Sequence, residues 1–222
     1  MTPIFGARPW QSASEVGFFF DPQGYWILLA RPTATQVSVD QSQHPAFPEF
    51  MRDSLSRAGL VAAAFEWCGP EAIPQPYRAL LVHEVDMTST LEKHHGEAMT
   101  LEVLTDGRAG GYYFREVVLR GGRTGKAAEF GLIEIEIDRL PGNLREAILS
   151  GKKPLGGILN QSGLGYQSRP LGYFSVARMQ LPPKLSLLGG NETFYGRLNQ
   201  LLGADGGCIA RILEIIPNSS KS

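Results

Sequence analysis

Two charged residues lie on otherwise apolar sides of predicted strands, and they indicate the chemistry that this chain can support. Alternation along YYFREVVLR, residues 112–120, places Arg115 on an apolar side. Alternation along CIARILEII, residues 208–216, does the same for Glu214. Burying one unpaired ion costs several kcal/mol, so such groups are normally paired, neutralised or placed at a ligand cavity.

Two interpretations of Arg115 and Glu214 follow from the alternation. In the first, the two side chains form an internal salt bridge that has no other role. In the second, they line a small polar pocket inside the sheet. The guanidinium fork of Arg115 would then bind a carboxylate, and Glu214 would accept a hydroxyl group or a proton. Alternation alone leaves both interpretations open.

The elements that must position these residues are mostly strands. Further strands are predicted over YRALLVHEV (77–85), MTLEVL (99–104), AAEFGLIEIEIDRL (127–140) and RPLGYFSVARMQL (169–181). Helices are predicted over residues 48–60, DMTSTLEKHHGE (86–97), PGNLREAILSG (141–151) and KKPLGGILNQSG (152–163). Because strands outnumber helices and hairpins dominate, the predicted class is α+β around an antiparallel sheet.

The strand LIEIEID, residues 132–138, is predicted to be half buried. Its isoleucines share one side, which is expected to face the core, and its acids share the other, which is expected to face solvent. The side of the 112–120 strand that carries Glu116 and Arg120 is likewise expected to face water.

Composition favours a soluble globular protein rather than a disordered one. The chain has 222 residues, of which 43% are hydrophobic and 19% charged, with a formal net charge of −1. This balance does not favour nucleic acid or an anionic membrane as a partner. The sequence contains no membrane span or signal peptide, and Cys68 and Cys208 have no metal-type spacing, so a cytoplasmic protein with reduced thiols is expected. The oligomeric state is not predicted.

A proline-rich join, GPEAIPQPYR (69–78), suggests a division of the chain. Residues 1–75 are predicted to form an N-terminal extension that packs on the sheet. This extension includes a hairpin over VGFFFDPQGYWILLA (16–30), with its turn at residues 21–24. Residues 76–222 are predicted to form the main domain, as one compact unit.

Four segments follow one another in a distinctive order. They are MTSTLEKHHGEAMTLEVL, YYFREVVL, KKPLGGIL and FYGRLNQLLGADGGCIARILEIIP. Their order and spacing resemble the chorismate pyruvate-lyase family, including its cyanobacterial, plastid and mycobacterial members. The resemblance extends over roughly residues 76–217 and rests on the four segments together.

The resemblance implies a fold and a reaction. The fold is a chorismate lyase-like antiparallel sheet of about six strands, with helical flaps over an internal ligand cavity. The implied enzyme is a cofactor-independent carbon-oxygen lyase that eliminates pyruvate from chorismate to give 4-hydroxybenzoate, for plastoquinone, other quinone or phenolic lipid biosynthesis. Aromatisation drives the elimination, so neither a metal nor an organic cofactor is expected.

The resemblance also implies roles for individual residues. Arg115 and Glu214 would be catalytic: Arg115 would orient a substrate carboxylate, and Glu214 would contact the 4-hydroxyl and assist proton transfer. Met87 would form an apolar wall against the ring, and the backbone N–H of Leu155 would add an anion contact. Arg197 matches a family arginine and is a further substrate-binding candidate.

Other polar residues give weaker signals. Arg197, Lys152 and Lys153 would steer a dianionic substrate or simply be surface charges. The candidates for a metal site are His83, Glu84, Glu92, His94 and His95. They lack His-Glu-x-x-His spacing, and adjacent histidines on a helix point about 100° apart, so no metal site is predicted.

Two alternative functions remain open. The first is a non-catalytic binding module for a small aromatic acid, as in the effector-binding half of some bacterial transcription regulators. Such regulators carry a helix-turn-helix domain, whereas the first 70 residues here contain one convincing helix and no basic cluster. The second is a lyase or hydrolase acting on a related carboxylated ring.

Overall fold

The computed structural model describes residues 17–20, 26–29, 49–189 and 192–217. The chain divides into two compact units, Met1–Gln43 and His44–Ser222. In the first unit, β1 (Gly17–Phe20) and β2 (Trp26–Leu29) pair as antiparallel strands. This pairing confirms the strands of the predicted hairpin, whereas its turn lies outside the described residues.

The second unit contains a seven-stranded sheet and five α-helices within the described ranges. In chain order the elements are α1 (Glu49–Ala58), β3 (Phe65–Cys68), α2 (Tyr77–Leu81), α3 (Met87–His95), β4 (Met99–Ala109), β5 (Tyr112–Gly121), β6 (Ala127–Glu136), α4 (Gly142–Leu149), α5 (Leu155–Ser162), β7 (Tyr166–Ala177), β8 (Thr193–Gly203) and β9 (Cys208–Ile216). The strand order is β3-β7-β8-β9-β6-β5-β4, and all neighbours are antiparallel. The predicted α+β class with an antiparallel sheet is therefore confirmed, with seven strands in place of about six.

One face of the sheet is covered by α1 and by a 3₁₀ helix, Pro183–Leu188. The residues of this core include Met51, Leu55, Leu185, Phe130, Leu132, Phe174, Leu198 and Leu213. Because this second layer is present, two acids that the sequence places in solvent are buried. Glu134 accepts a hydrogen bond from Ser54 of α1, and Glu116 pairs with Lys184 at 2.5 Å.

The opposite face of the sheet is covered by helices α2 to α5. Near α4 and α5 the packing residues include Ile133, Leu144, Ile148, Leu159, Leu201 and Ile212. Near α2 and α3 they include Leu80, Leu81, Met87, Leu91, Leu119 and Ile216. Arg115 and Glu214 also lie on this face of the sheet, so this face holds the candidate site.

Three elements differ from the sequence-based prediction. Residues 77–81, predicted as a strand, form α2, in which Tyr77, Leu80 and Leu81 are buried. An apolar run this short does not distinguish a strand from a buried helix by periodicity. The strands β3 and β8 are absent from the prediction, because β3 is only four residues long and the polar residues of β8 hide its alternation.

The predicted boundary near residue 75 does not coincide with the division of the structure, which falls between Gln43 and His44. From within the predicted extension, β3 pairs with β7 as an edge strand, Phe65 lying opposite Val176. Helix α1, from the same region, packs on the sheet through Met51 and Leu55. In the described part of the extension, residues 49–75 thus belong to the same compact unit as the sheet.

Candidate functional site

A cavity with an empty volume of about 450 Å³ lies between the sheet and the first residues of α3 and α5. We call the sheet residues that line it the floor and the residues of the two helix starts the roof. The floor comprises Leu101, Arg115, Val117, Leu119, Glu129, Ile133, Asn199, Leu201, Ile212 and Glu214. The roof comprises Asp86, Met87, Thr88, Pro154, Leu155 and Gly156.

A glycine in the middle of the sheet keeps the floor open. Gly131 of β6 lies between Val117 of β5 and Glu214 of β9, directly opposite both in register. A Cβ atom at Gly131 would lie 3.0 Å from Val117 Cγ2 and 3.2 Å from an oxygen of Glu129. The lack of a side chain at this position therefore provides space among the polar groups of the floor.

Arg115 is the buried cation of the floor. Its side chain is 0% exposed. None of its three guanidinium nitrogens makes a hydrogen bond of acceptable geometry with any residue in the described part of the chain. Burial lowers the pKa of Arg115, and the nearby Tyr113 and Asp106 oppose this effect by favouring the charged form. A guanidinium remains charged in proteins even so, and an unpaired one deep in a protein is strongly unfavourable unless a ligand supplies an anion.

Glu214 is paired, but not with Arg115. Arg197 lies directly opposite Glu214 on β8, and its Nε donates to the Glu214 carboxylate. Both side chains are buried. The interpretation in which Arg115 and Glu214 form an isolated salt bridge is therefore wrong, because the partner of Glu214 is Arg197. Burial raises the pKa of Glu214, and Arg197 opposes that effect.

Arg197 also binds the backbone that leads into α3. Its Nη1 donates to the carbonyl oxygens of Leu81 and His83 at 3.0 Å each, and its Nη2 donates to that of Val85 at 3.5 Å. Arg197 does not line the cavity. It holds both a floor carboxylate and the segment just before the roof, so in this structure it reaches the cavity through Glu214.

Glu129 is a site residue that the sequence analysis missed. It lines the cavity and is 3% exposed, and its Oε2 atom has no hydrogen-bond partner among the residues described. Burial and the neighbouring Glu214 raise its pKa well above the ordinary value. Alternation could have identified it, since Glu129 shares a side with Gly131 and with the core isoleucines of 132–138.

Met87 and Leu155 are buried residues that line the cavity, and they are the first residues of α3 and α5. Asp86 caps α3 by accepting from the Ser89 N–H at 2.8 Å, as predicted for this helix start. Asn160 of α5 donates to the same carboxylate at 3.1 Å. Asp86 therefore connects the start of α3 with the last turn of α5.

The remaining candidates lie elsewhere. Lys152 and Lys153 are exposed, and they line a separate surface depression beside α4 and α5. Within the described ranges, no group of three or more His, Cys, Asp or Glu side chains is arranged to hold a metal ion. Cys68 and Cys208 are free thiols. In the same ranges, no helix is long and apolar enough to cross a membrane.

The chain is similar in structure to proteins whose structures have been solved. No family model matches the chain, and no curated protein matches it. The effector domain of PhnF from Mycobacterium smegmatis is similar, with 14% identity and a TM-score of 0.45, over 62% of this chain and 91% of that one. A structure of PhnF from the same organism is similar over 77% of this chain and 79% of that one, with 14% identity and a TM-score of 0.49. Neither likeness assigns a role to any residue of the cavity.

Proposed function

We propose that the His44–Ser222 unit binds a small, flat carboxylic acid in the cavity, with the ligand carboxylate on Arg115. The observation that carries this proposal is the fully buried guanidinium of Arg115, which lines the cavity and has no hydrogen-bond partner for any of its three nitrogens among the described residues. A carboxylate accepts two parallel hydrogen bonds from such a fork and supplies the missing negative charge.

The other walls of the cavity suit an apolar ring. Leu101, Val117, Ile133, Leu201 and Ile212 contribute apolar surface to the floor, and Met87 and Leu155 contribute it to the roof. The space between these walls, with open solvent included, is about 450 Å³. A small-molecule site usually combines a larger apolar surface with a small number of polar groups that orient the ligand.

Binding is tested with matched ligands and variants. Benzoate and its uncharged analogue benzamide are titrated into the protein by calorimetry, and each is scored for its shift in melting temperature. We expect the wild type to bind benzoate and not benzamide, and Arg115→Gln to lose benzoate binding while its circular dichroism is unchanged. Arg120→Gln, on the same strand but partly exposed and paired with Glu102, is the control that retains binding. Equal binding of benzoate and benzamide, or full binding by Arg115→Gln, would contradict the proposal.

Catalysis is a second candidate function, as the resemblance to chorismate pyruvate-lyases suggests. The specific observation in its favour is that two carboxyl groups of the floor, Glu129 and Glu214, have raised pKa values beside the space for a ring. Carboxyl groups tuned in this way can transfer protons near neutral pH. In the proposed reaction the ring of chorismate loses its C4 proton, the bond to the enolpyruvyl oxygen breaks, and protonation of the released enol gives pyruvate.

In that reaction Arg115 orients a substrate carboxylate and Glu214 assists transfer of the C4 proton. Met87 packs against the ring, the N–H of Leu155 contacts an anionic oxygen, and Arg197 positions Glu214. Incubating the purified protein with chorismate, and measuring both pyruvate and 4-hydroxybenzoate, separates an enzyme from a binding module. Equal amounts of both products, lost in Arg115→Gln, would support catalysis; binding of benzoate without turnover of chorismate would reject it and leave the binding function standing.

A further inference from the structure

We propose that Glu129 determines ligand specificity: it binds a neutral hydrogen-bonding group at the end of the ligand remote from Arg115 and rejects an anionic group there. This inference rests on the proposed binding of a carboxylic acid at Arg115. The geometry that carries it is the position of Glu129 in the floor, buried, with one carboxyl oxygen unbonded in the part of the chain that the structure describes.

The strand register places Arg115 and Glu129 at opposite ends of the floor. Glu129 of β6 lies opposite Leu119 of β5, four residues beyond Arg115 on the same strand. At about 3.3 Å per residue, this separation is about 13 Å along the strand. Val117 and Gly131 lie between them on adjacent strands. The Glu129 carboxyl reaches back toward Gly131, where a Cβ would lie 3.2 Å from its Oε1 atom, so the gap that a ligand spans is shorter than this backbone separation.

The charges around Glu129 favour its neutral form. Glu214 and Asp86 act on it as negative neighbours, and Arg197 is the positive one. Arg197, however, already donates to Glu214 and to three backbone carbonyls. Within the described residues Glu129 therefore forms no salt bridge of its own, and burial disfavours its ionised form further.

A neutral carboxyl group in this position has a defined selectivity. Its hydroxyl can donate and its carbonyl oxygen can accept, so a ligand hydroxyl can satisfy both. A methyl group of similar size would leave the buried carboxyl unsatisfied. A second carboxylate would face Glu214 and Asp86, and the like charges would repel it. We therefore expect a ligand with one carboxylate at Arg115 and a hydroxyl, or another neutral polar group, opposite.

Three ligands that differ only opposite the carboxylate test this selectivity. They are 4-hydroxybenzoate, 4-methylbenzoate and terephthalate, and their dissociation constants are measured by calorimetry. The wild type is expected to bind 4-hydroxybenzoate about tenfold more tightly than 4-methylbenzoate, the effect of one neutral hydrogen bond, and to bind terephthalate most weakly. Glu129→Leu is expected to reverse the order of the first two. Glu129→Gln, which keeps a donor and an acceptor, is expected to preserve it.

The outcomes separate this inference from the proposed function. If benzoate binds in an Arg115-dependent manner while 4-hydroxybenzoate and 4-methylbenzoate bind equally, the role of Glu129 is overturned and the proposed function stands. If the wild type binds none of the acids, both are overturned. Tight binding of terephthalate by the wild type would contradict the inference. If Glu129→Leu does not fold, Glu129→Gln provides the test, and loss of the preference for 4-hydroxybenzoate in that variant would also contradict the inference. Glu102→Gln, an exposed carboxylate of the same sheet, is the control and should match the wild type.

Discussion

Arg197 and Glu214 lie opposite each other on β8 and β9, and their side chains form a buried ion pair, so Glu214 is not the partner of Arg115. The sheet thus contains two buried arginines with different surroundings. The guanidinium of Arg197 donates hydrogen bonds to Glu214 and to backbone carbonyls, whereas that of Arg115 lines a cavity and makes no hydrogen bond with the residues that the structure describes. Because of this difference, we propose that Arg115 binds the ligand and that Arg197 positions Glu214.

Removal of Arg197 should destabilise the fold. Arg197→Met leaves the Glu214 carboxylate buried without its partner and frees the carbonyls that precede α3, so we expect a loss of about 3–5 kcal/mol in the free energy of unfolding. Urea denaturation followed by circular dichroism measures this loss. The partly exposed pair Arg120–Glu102 is the comparison, and Arg120→Met should cost about 0–1 kcal/mol. If Arg197→Met lowered the free energy of unfolding by no more than Arg120→Met does, the buried pair would be dispensable for stability.

Replacement of Glu129 by Gln should make stability less dependent on pH. The pKa of Glu129 is raised above its ordinary value of 4.5, so the folded protein binds this proton more tightly than the unfolded chain. The stabilisation is complete below that ordinary value and is lost as the pH rises through the folded pKa. The melting temperature of Glu129→Gln should therefore exceed that of the wild type by more at about pH 8 than at about pH 5. Glu214, whose pKa is also raised, continues to titrate in both proteins, so some dependence remains.

Glu102→Gln is the control for this pH series, since Glu102 is exposed and its partner Arg120 lies at the surface. Its difference from the wild type should stay constant across the series. A Glu129→Gln difference that shrinks as the pH rises would mean that Glu129 is ionised in the folded protein.

A methyl group at Gly131 should reduce binding without a comparable effect on the fold. The added Cβ of Gly131→Ala would crowd Val117 and Glu129 and occupy the open part of the floor. We expect the affinity for benzoate to fall about tenfold, or about 1.4 kcal/mol, by calorimetry. Gly157→Ala is the matched control, because a Cβ there meets no described atom within 4 Å. Equal affinities for the two variants would place the ligand elsewhere.

Alternation predicted Arg115 and Glu214 because each is a charge on an otherwise apolar side of a strand. It failed for Glu116 and Glu134, which were expected in solvent. A period of two identifies which residues share a side, but not whether a second layer covers that side. Helix α1 and the lysine at position 184 provide that layer, and both come from parts of the sequence distant from these strands.

The partner of Glu214 could not be predicted from its own strand. The choice between Arg115 and Arg197 depends on strand order, and the strand that carries Arg197 was not identified, since glycine, arginine and asparagine interrupt its apolar pattern. Glu129 was missed for a related reason. It lies before Gly131, outside the segment 132–138 whose alternation predicts a core face and a solvent face. The start and the end of α3 were predictable because Asp86 and Gly96 are ordinary capping residues.

The contacts of Arg197 link the two sides of the cavity mechanically. One nitrogen of this side chain holds Glu214 in the floor, and another holds the backbone of Leu81 and His83, a few residues before the roof. An outward displacement of α3 must therefore either break these carbonyl contacts or carry the guanidinium with it. In the second case the carboxylate of Glu214 moves as well, so that entry of a ligand and reorientation of an acidic group become a single concerted motion.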